Sequence, residues 1–195
     1  MPASVTTVRP EAPRISLRDN WWIAIPIVAL IVALESDPLW MLLYVHVFTA
    51  ILWTGTDIFM GFILGPIMRR VDFDTRRAII TRLMPRMLFY MPTMAGVTGT
   101  AGFYLANRLG YMDLPYPEKY WVVAALAMLG IMTVQGYGIL LPTNLRVYWE
   151  IRKEQPDGEK IKRLMSLYTK VVASQAVMQF GIVFIMVKFR AGLSF

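Results

Sequence analysis

The only histidine of the chain, His46, shares one apolar stretch with an acid, Asp57, and with Trp53, which lies between them. At 100° per residue of an α-helix, these three side chains fall within about 20° of one line along one helix face. A neutral imidazole can ligate haem iron or copper or transfer protons, and a carboxylate inside a membrane can relay protons or bind a cation. The sequence therefore marks His46 as a candidate ligand and Asp57 and Trp53 as candidate catalytic residues.

The composition is that of an integral membrane protein, and it excludes several chemistries. The chain is 56% apolar, its mean hydropathy is +0.49, and its apolar residues come in long runs. It has no cysteine and one histidine, which excludes disulfides, iron–sulfur clusters, thiol catalysis and a haem held by two histidines of one chain. The net charge of +7 comes from basic residues between the apolar runs. That distribution is typical of cytoplasmic loops rather than of a nucleic-acid-binding surface.

We expect an all-α integral membrane bundle with a cytoplasmic tail over residues 1–20 and a single membrane domain over residues 21–195. The apolar runs predict five spans, at residues 21–34, 39–68, 87–106, 120–141 and 171–187. The first is only about 21 Å long at 1.5 Å per residue, so a re-entrant segment or a signal-like segment is the alternative to a retained span. The other four are expected to form the core of the bundle.

The connections between the spans predict an orientation in the membrane. Residues 69–86 are basic, and their apolar spacing predicts a short surface helix that starts near Asp74 or Thr75. Residues 145–168 are strongly charged, with a turn signal over 155–158 between two helix extensions. With a cytoplasmic N-terminus, sixteen of the twenty Lys and Arg residues lie on the cytoplasmic side, which predicts that orientation in the cell membrane.

A haem ligated by His46 would need a methionine, another group or an open position opposite it. Met128 matches His46 best in estimated depth, so the predicted cofactor or metal site pairs these two residues. Arg108 and Lys119 lie near the same outer level, where they would pair with haem propionates. The predicted cofactor site therefore consists of His46, Met128, Arg108 and Lys119.

Two further groups of residues are predicted to make contacts between helices. The candidate partners of Asp57 are amides of the last two spans, and Gln135 is the nearest in estimated depth; the others are Gln175 and Gln179. Small residues of the third span, including Gly96, Gly99 and Gly102, are typical of a surface where helices approach closely.

The segment that contains His46, Trp53, Gly55 and Phe59, followed by Pro66 and Arg69-Arg70, resembles the first signature helix of a bacterial membrane superfamily. That superfamily includes the copper-resistance D (CopD) membrane proteins and the membrane-bound, haem-containing protoporphyrinogen oxidase. The third span, with Thr98-Gly99, is similar to the next helix of the group, which extends the resemblance to roughly a third of the chain. The resemblance implies a bundle of four or more helices with His46 as a ligand of haem b or copper. The additional histidines usual in the family are missing here.

The leading hypothesis is a haem b-binding membrane redox protein, active in electron transfer or in oxidation of the protoporphyrinogen oxidase type. His46 would be the axial ligand, Trp53 would pack beside the macrocycle or line an electron path, and Asp57 would handle a proton or fix a neighbouring helix. Quinone or other membrane redox subunits are the expected partners.

Two alternatives remain open. The first is a copper-handling transporter, in which His46 and methionines such as Met41 or Met128 relay Cu(I). The second is a non-catalytic subunit of a larger membrane complex or oligomer, which docks through the glycines of the third span.

Overall fold

The computed structural model describes residue 16 and residues 18–192, so most of the predicted tail lies outside the described residues. Within that part of the chain every regular element is helical and none is a strand, which confirms the all-α bundle. A 3-10 segment, Arg18–Ile23, precedes the first helix. The helices are α1 (Ala24–Glu35), α2 (Leu39–Arg70), α3 (Phe73–Arg108), α4 (Lys119–Ile151) and α5 (Gly158–Ala191).

Three of these helices, α2, α4 and α5, are long and apolar enough to cross a membrane. Between 11% and 17% of their most apolar windows is buried inside the protein, so most of their apolar side chains face outwards. Phe62, for example, is 80% exposed and Val177 72% exposed. A surface of this kind suits a lipid bilayer, since soluble monomers rarely expose large continuous apolar patches. The predicted span over residues 21–34 begins in the 3-10 segment and continues through α1, and that over residues 87–106 lies in α3; both stay predictions.

Aspartates begin both long helices that follow the two charged connections. The carboxylate of Asp72 accepts a hydrogen bond from the backbone N–H of Thr75 at 2.9 Å, and that of Asp157 accepts one from Lys160 at 3.0 Å. Each bond satisfies one of the N–H groups that the first turn of a helix leaves without a partner. The predicted break near residues 155–158 is confirmed, because α4 ends at Ile151 and α5 begins at Gly158.

The first charged connection differs from the prediction. In place of a separate short helix within residues 69–86, α3 begins at Phe73 and continues to Arg108 as one rod. Pro85 and Pro92 lie inside it without ending it. Buried Met84 packs with Val147 and Tyr148 at the basic end of the bundle, so tertiary packing holds this helix together across the first proline.

The bundle consists of two helix pairs, α2 with α3 and α4 with α5, and α1 packs on the half of the first pair that contains Leu42 and Leu105. An apolar cluster joins α1, α2 and α3; its members are Leu30, Ala33, Leu42, Val45, Val97, Ala101 and Leu105. In the middle of the bundle, Trp53 of α2 packs with Met94 of α3 and Met132 of α4. This second cluster holds the two pairs together at the level of the candidate site.

Helices α2 and α4 each contain one wide π-helical turn, Phe59–Leu64 in α2 and Gly136–Leu140 in α4. Each turn ends two residues before a proline, Pro66 or Pro142. A proline inside a helix lacks the N–H donor, and its ring collides with the carbonyl of the preceding turn. A wider turn relieves that crowding. As a result α4 continues beyond the predicted span over residues 120–141.

Candidate intramembrane site

The imidazole of His46 lies against the backbone of α3 at Gly102. A Cβ atom at residue 102 would lie 2.7 Å from Cε1 of His46, closer than real Cβ contacts. Nδ1 of His46 lies 3.0 Å from the carbonyl oxygen of Thr98, one helical turn before the glycine. A carbonyl only accepts hydrogen bonds, so this contact assigns the proton to Nδ1 and leaves the lone pair on Nε2. His46 is therefore a buried, oriented imidazole.

Hydroxyl groups continue this contact along α2 and α3. Thr98 Oγ1 donates to Thr49 Oγ1 at 2.9 Å, and both side chains are buried. Further along the pair, Thr56 Oγ1 donates to Tyr90 Oη, and Tyr90 Oη donates to the carbonyl of Leu52, each at 3.0 Å. These residues were not among the predicted site residues, because threonine and tyrosine are common in membrane helices and the sequence does not show which of them face each other.

Asp57 links the first helix pair to α5. Its Oδ2 accepts a hydrogen bond from Nε2 of Gln179 at 3.0 Å. The other two predicted partners lie elsewhere: Gln135 donates to Ser174 at 3.2 Å, and Gln175 donates to the carbonyl of Met132 at 3.0 Å. The structure thus gives Asp57 one of the three predicted glutamines, although not the one that matched it best in estimated depth.

A cavity of about 400 Å³ lies between α3 and α4, and its wall includes both Trp53 and Asp57. Its α3 wall is one helix face that runs from Met87 to Phe103 and includes Met91, Ala95 and Gly99. The side chains of Asn144 and Tyr168 also line the cavity. His46 is not among the residues that line the cavity. The structure therefore places Trp53 and Asp57 in one cavity and His46 in a separate contact with α3.

The other predicted cofactor residues make contacts of their own elsewhere in the chain. Met128 packs on the second helix pair, where its Sδ lies 3.1 Å from the position that a Cβ of Gly181 would occupy. The guanidinium of Arg108 donates to the carbonyl of Leu34 at 2.7 Å, at the end of α1. Lys119 is the first residue of α4 and is half-buried. None of these contacts tests the pairing of His46 with Met128 or the roles of Arg108 and Lys119, which stay predictions.

The glycines of α3 make contacts within the chain. Gly102 lies against His46, and a Cβ at Gly99 would lie 3.2 Å from a methyl carbon of Leu129. A Cβ at Gly96 would lie 3.3 Å from the hydroxyl of Tyr137, which itself donates to the carbonyl of Pro92 at 3.0 Å. The small residues thus mark a helix contact surface, as predicted, and their partners are other helices of the same chain.

The fold and the site together define an all-α bundle in which three helices are long and apolar enough to cross a membrane, with an oriented, buried histidine and an elongated cavity that contains a carboxylate. Within the described residues, no group of three or more His, Asp or Glu side chains is arranged to hold a metal ion. Comparisons of the chain with protein-family models, with curated proteins and with solved structures return no match.

Proposed function

We propose that the protein is a haem b-binding redox protein of the cytoplasmic membrane, with His46 as an axial ligand of the iron. The observation that carries the proposal is the 3.0 Å contact of His46 Nδ1 with the carbonyl oxygen of Thr98. Histidines that ligate metals almost always donate their other ring N–H to such an acceptor, which fixes the ring and its tautomer. The free lone pair of a neutral His46 is then on Nε2, the usual ligand atom.

The residues around His46 fit this role in part. Gly102 gives the ring its place on α3, and Nε2 makes no hydrogen bond to a described residue. The thioether of Met128 is on the other helix pair, so His46 is the one protein ligand in the proposal. The resemblance of the segment from His46 to Phe59 to haem-binding membrane proteins also supports it. A haem bound there would supply one-electron chemistry.

The proposal gives Trp53 and Asp57 distinct positions along α2. Trp53 lies seven residues beyond His46, about 10 Å along the helix, and its indole is buried among apolar side chains. Asp57 lies about 6 Å further along, where Gln179 holds its carboxylate. In this arrangement Asp57 would hold a proton near the basic end of the membrane-spanning region, and Trp53 would separate that group from the histidine.

The test is an absorption spectrum of detergent-purified protein made with ample haem, oxidised and then reduced. We expect a Soret band with sharp reduced α and β bands, and their loss or shift in His46→Ala. Met128→Leu is the matched control, because the position of Met128 predicts an unchanged spectrum. A featureless wild-type spectrum, or a spectrum that His46→Ala leaves unchanged, would refute the proposal. Bound copper without haem absorption would favour copper handling instead.

A further inference from the structure

We propose that the cavity between α3 and α4 is a binding site for an elongated apolar molecule whose polar end donates hydrogen bonds to Asp57. This site is separate from His46 and does not depend on the haem assignment. The ligand class follows from three properties of the cavity, namely its length, the apolar character of its walls and the acceptor at one end.

The cavity is long and narrow. Its α3 wall runs from Met87 to Phe103, with one or two lining residues in every turn. Sixteen residues of α-helix correspond to about 24 Å, and the volume of about 400 Å³ is distributed over that length. The volume lies in the range of small-molecule sites, which is roughly 300–1,000 Å³. An extended chain fits such a space better than a compact, rounded ligand does.

Most of the cavity wall is apolar. Thioether, aromatic and aliphatic side chains surround its middle, including Met91, Met132 and Leu129. Two polar groups near this part already have hydrogen-bond partners in the protein: Tyr137 Oη donates to the carbonyl of Pro92, and one N–H of Gln175 Nε2 donates to the carbonyl of Met132. No Lys, Arg or Glu is among the described residues that line the cavity. The body of the ligand therefore meets an environment that favours hydrocarbon.

Asp57 follows Thr56, which donates to Tyr90, so Asp57 lies towards the Met87 end of the cavity. The polar side chains of Asn144 and Tyr168 also line the cavity. One oxygen of Asp57 accepts from Gln179, and the other makes no hydrogen bond to a described residue. A carboxylate has about four lone-pair sites, so Asp57 keeps capacity to accept further bonds. A half-buried acceptor with spare capacity favours a ligand that donates, either a hydroxyl or an ammonium group.

Photoaffinity labelling tests both the location and the head group. The donor probes are 2-decylhydroquinone and dodecylamine, each with a diazirine in its alkyl chain. The control probe is the dimethyl ether of the same hydroquinone, which has the same apolar chain but no hydrogen-bond donor. In detergent-solubilised full-length protein, we expect saturable labelling of peptides from residues 87–103 and 129–141 by at least one donor probe. The dimethyl ether should label these peptides about tenfold less efficiently, because it cannot donate to the carboxylate. If only the hydroquinone probe labels these peptides, the head group of the ligand is a hydroxyl. If only dodecylamine labels them, it is an ammonium group.

Two variants distinguish the contribution of the ligand's polar head group from that of its apolar chain. Asp57→Asn should raise the half-saturating concentration of the donor probe about tenfold and leave the weak labelling by the ether unchanged. Asp113→Asn, in the exposed turn between α3 and α4, is the matched control and should change neither. Ala95→Leu, which adds volume inside the cavity, should reduce labelling by all probes.

Three results would overturn the proposal. The first is labelling that does not saturate and spreads over the lipid-facing surface. The second is equal labelling by the donor probes and the dimethyl ether. The third is unchanged labelling in Asp57→Asn. If Asp57→Asn fails to fold, Ala95→Leu and the positions labelled in the wild type still decide between the outcomes.

Discussion

Gly102 is the residue on which the imidazole of His46 rests. The ring contacts the backbone of α3 so closely that a Cβ at Gly102 would lie 2.7 Å from Cε1 and 3.1 Å from Nδ1. The carbonyl of Thr98 points along α3 towards residue 102, and the missing side chain leaves it open to the histidine. The orientation of the only histidine in the chain thus depends on a glycine of the neighbouring helix.

Replacing that glycine should disturb the histidine directly. We expect Gly102→Ala to destabilise the protein by about 1–3 kcal/mol, because the added methyl group must displace the ring or separate the two helices. If His46 ligates haem, the Soret band should shift in the same variant. Unfolding by heat or denaturant in detergent measures the first effect. Gly130→Ala is the control: nothing lies within 4 Å of its Cβ position, so it should be neutral or stabilising.

The hydrogen bond between Thr98 and Thr49 should contribute measurably to the packing of α2 on α3. Thr98→Val keeps the shape of the side chain and removes the donor, so we expect a loss of about 0.5–1.5 kcal/mol. A double-mutant cycle with Thr49→Val isolates the pairwise energy. Among the described residues, Thr133 bonds the carbonyl of Leu129 in its own helix and no other group, so Thr133→Val should have little effect. A coupling energy of zero would contradict the assigned bond.

The contacts of Arg108 should hold the end of α1 against the bundle. Its guanidinium donates to the carbonyls of Leu34 and Ser36, which the last turn of α1 leaves without helical partners. Arg108→Ala should therefore raise amide hydrogen exchange severalfold in the last turn of α1 and leave α5 unchanged. Arg82→Ala is the comparison, since Arg82 bonds only the carbonyl of Ala78 in its own helix. Equal exchange in both variants would show that α1 is held by apolar packing alone.

The N-terminal cap of α3 predicts a dependence of stability on pH. Hydrogen bonds from Thr75 lower the pKa of Asp72 below its usual value. A carboxyl group with a lowered pKa in the folded state stabilises above its unfolded pKa of about 4, and this stabilisation is lost as the pH falls through the folded pKa. Asp72→Ala should therefore lower the unfolding temperature at pH 7, and the difference from wild type should shrink towards pH 3.

The Asp72→Asn variant distinguishes the stabilisation due to the helix cap from the stabilisation due to the negative charge of Asp72. Asparagine caps helices about as well as aspartate but does not titrate, so this variant should keep most of the stability at pH 7 and lack the acid-dependent loss. Thermal unfolding of the three proteins across this pH range measures both effects. If Asp72→Ala matched the wild type at pH 7, the cap would contribute nothing to stability.

The sequence predicted the elements better than it predicted their contacts. Long apolar runs imply helices, and the turn signal near residues 155–158 implies a break, because these properties are local. The continuous helix α3 was missed because Pro85 and the charges before it look like an interruption. Its packing against Tyr148, far away in the chain, outweighs that local signal. Helix existence could therefore be predicted from local patterns, and the continuity of α3 could not.

Estimated depth along a helix was the weakest guide to the site. It correctly separated His46 from Asp57, because both lie on one helix with a known rise per residue. It gave no direction for the side chain of Met128, which lies on α4 and contacts Gly181 of α5. Depth gives one coordinate of a residue, and the direction of its side chain depends on which helices are neighbours. The same limitation concealed the contact of His46 with Gly102.

The π-helical turns of α2 and α4 also set the rotational phase of those helices. The turn in α2 follows the cavity residues Trp53 and Asp57, and the turn in α4 itself contributes Gly136 and Tyr137 to the cavity wall. Each wide turn holds about one residue more than an α-helical turn, so removal of one residue there would close it to regular α-helix and keep the two halves in phase. The same deletion in a regular stretch of α4 would rotate its two halves by about 100° and separate Met132 from the cavity, or Glu150 from its ion pair with Lys160. The two wide turns are thus the positions within α2 and α4 where the chain can change in length by one residue at least cost to the packing.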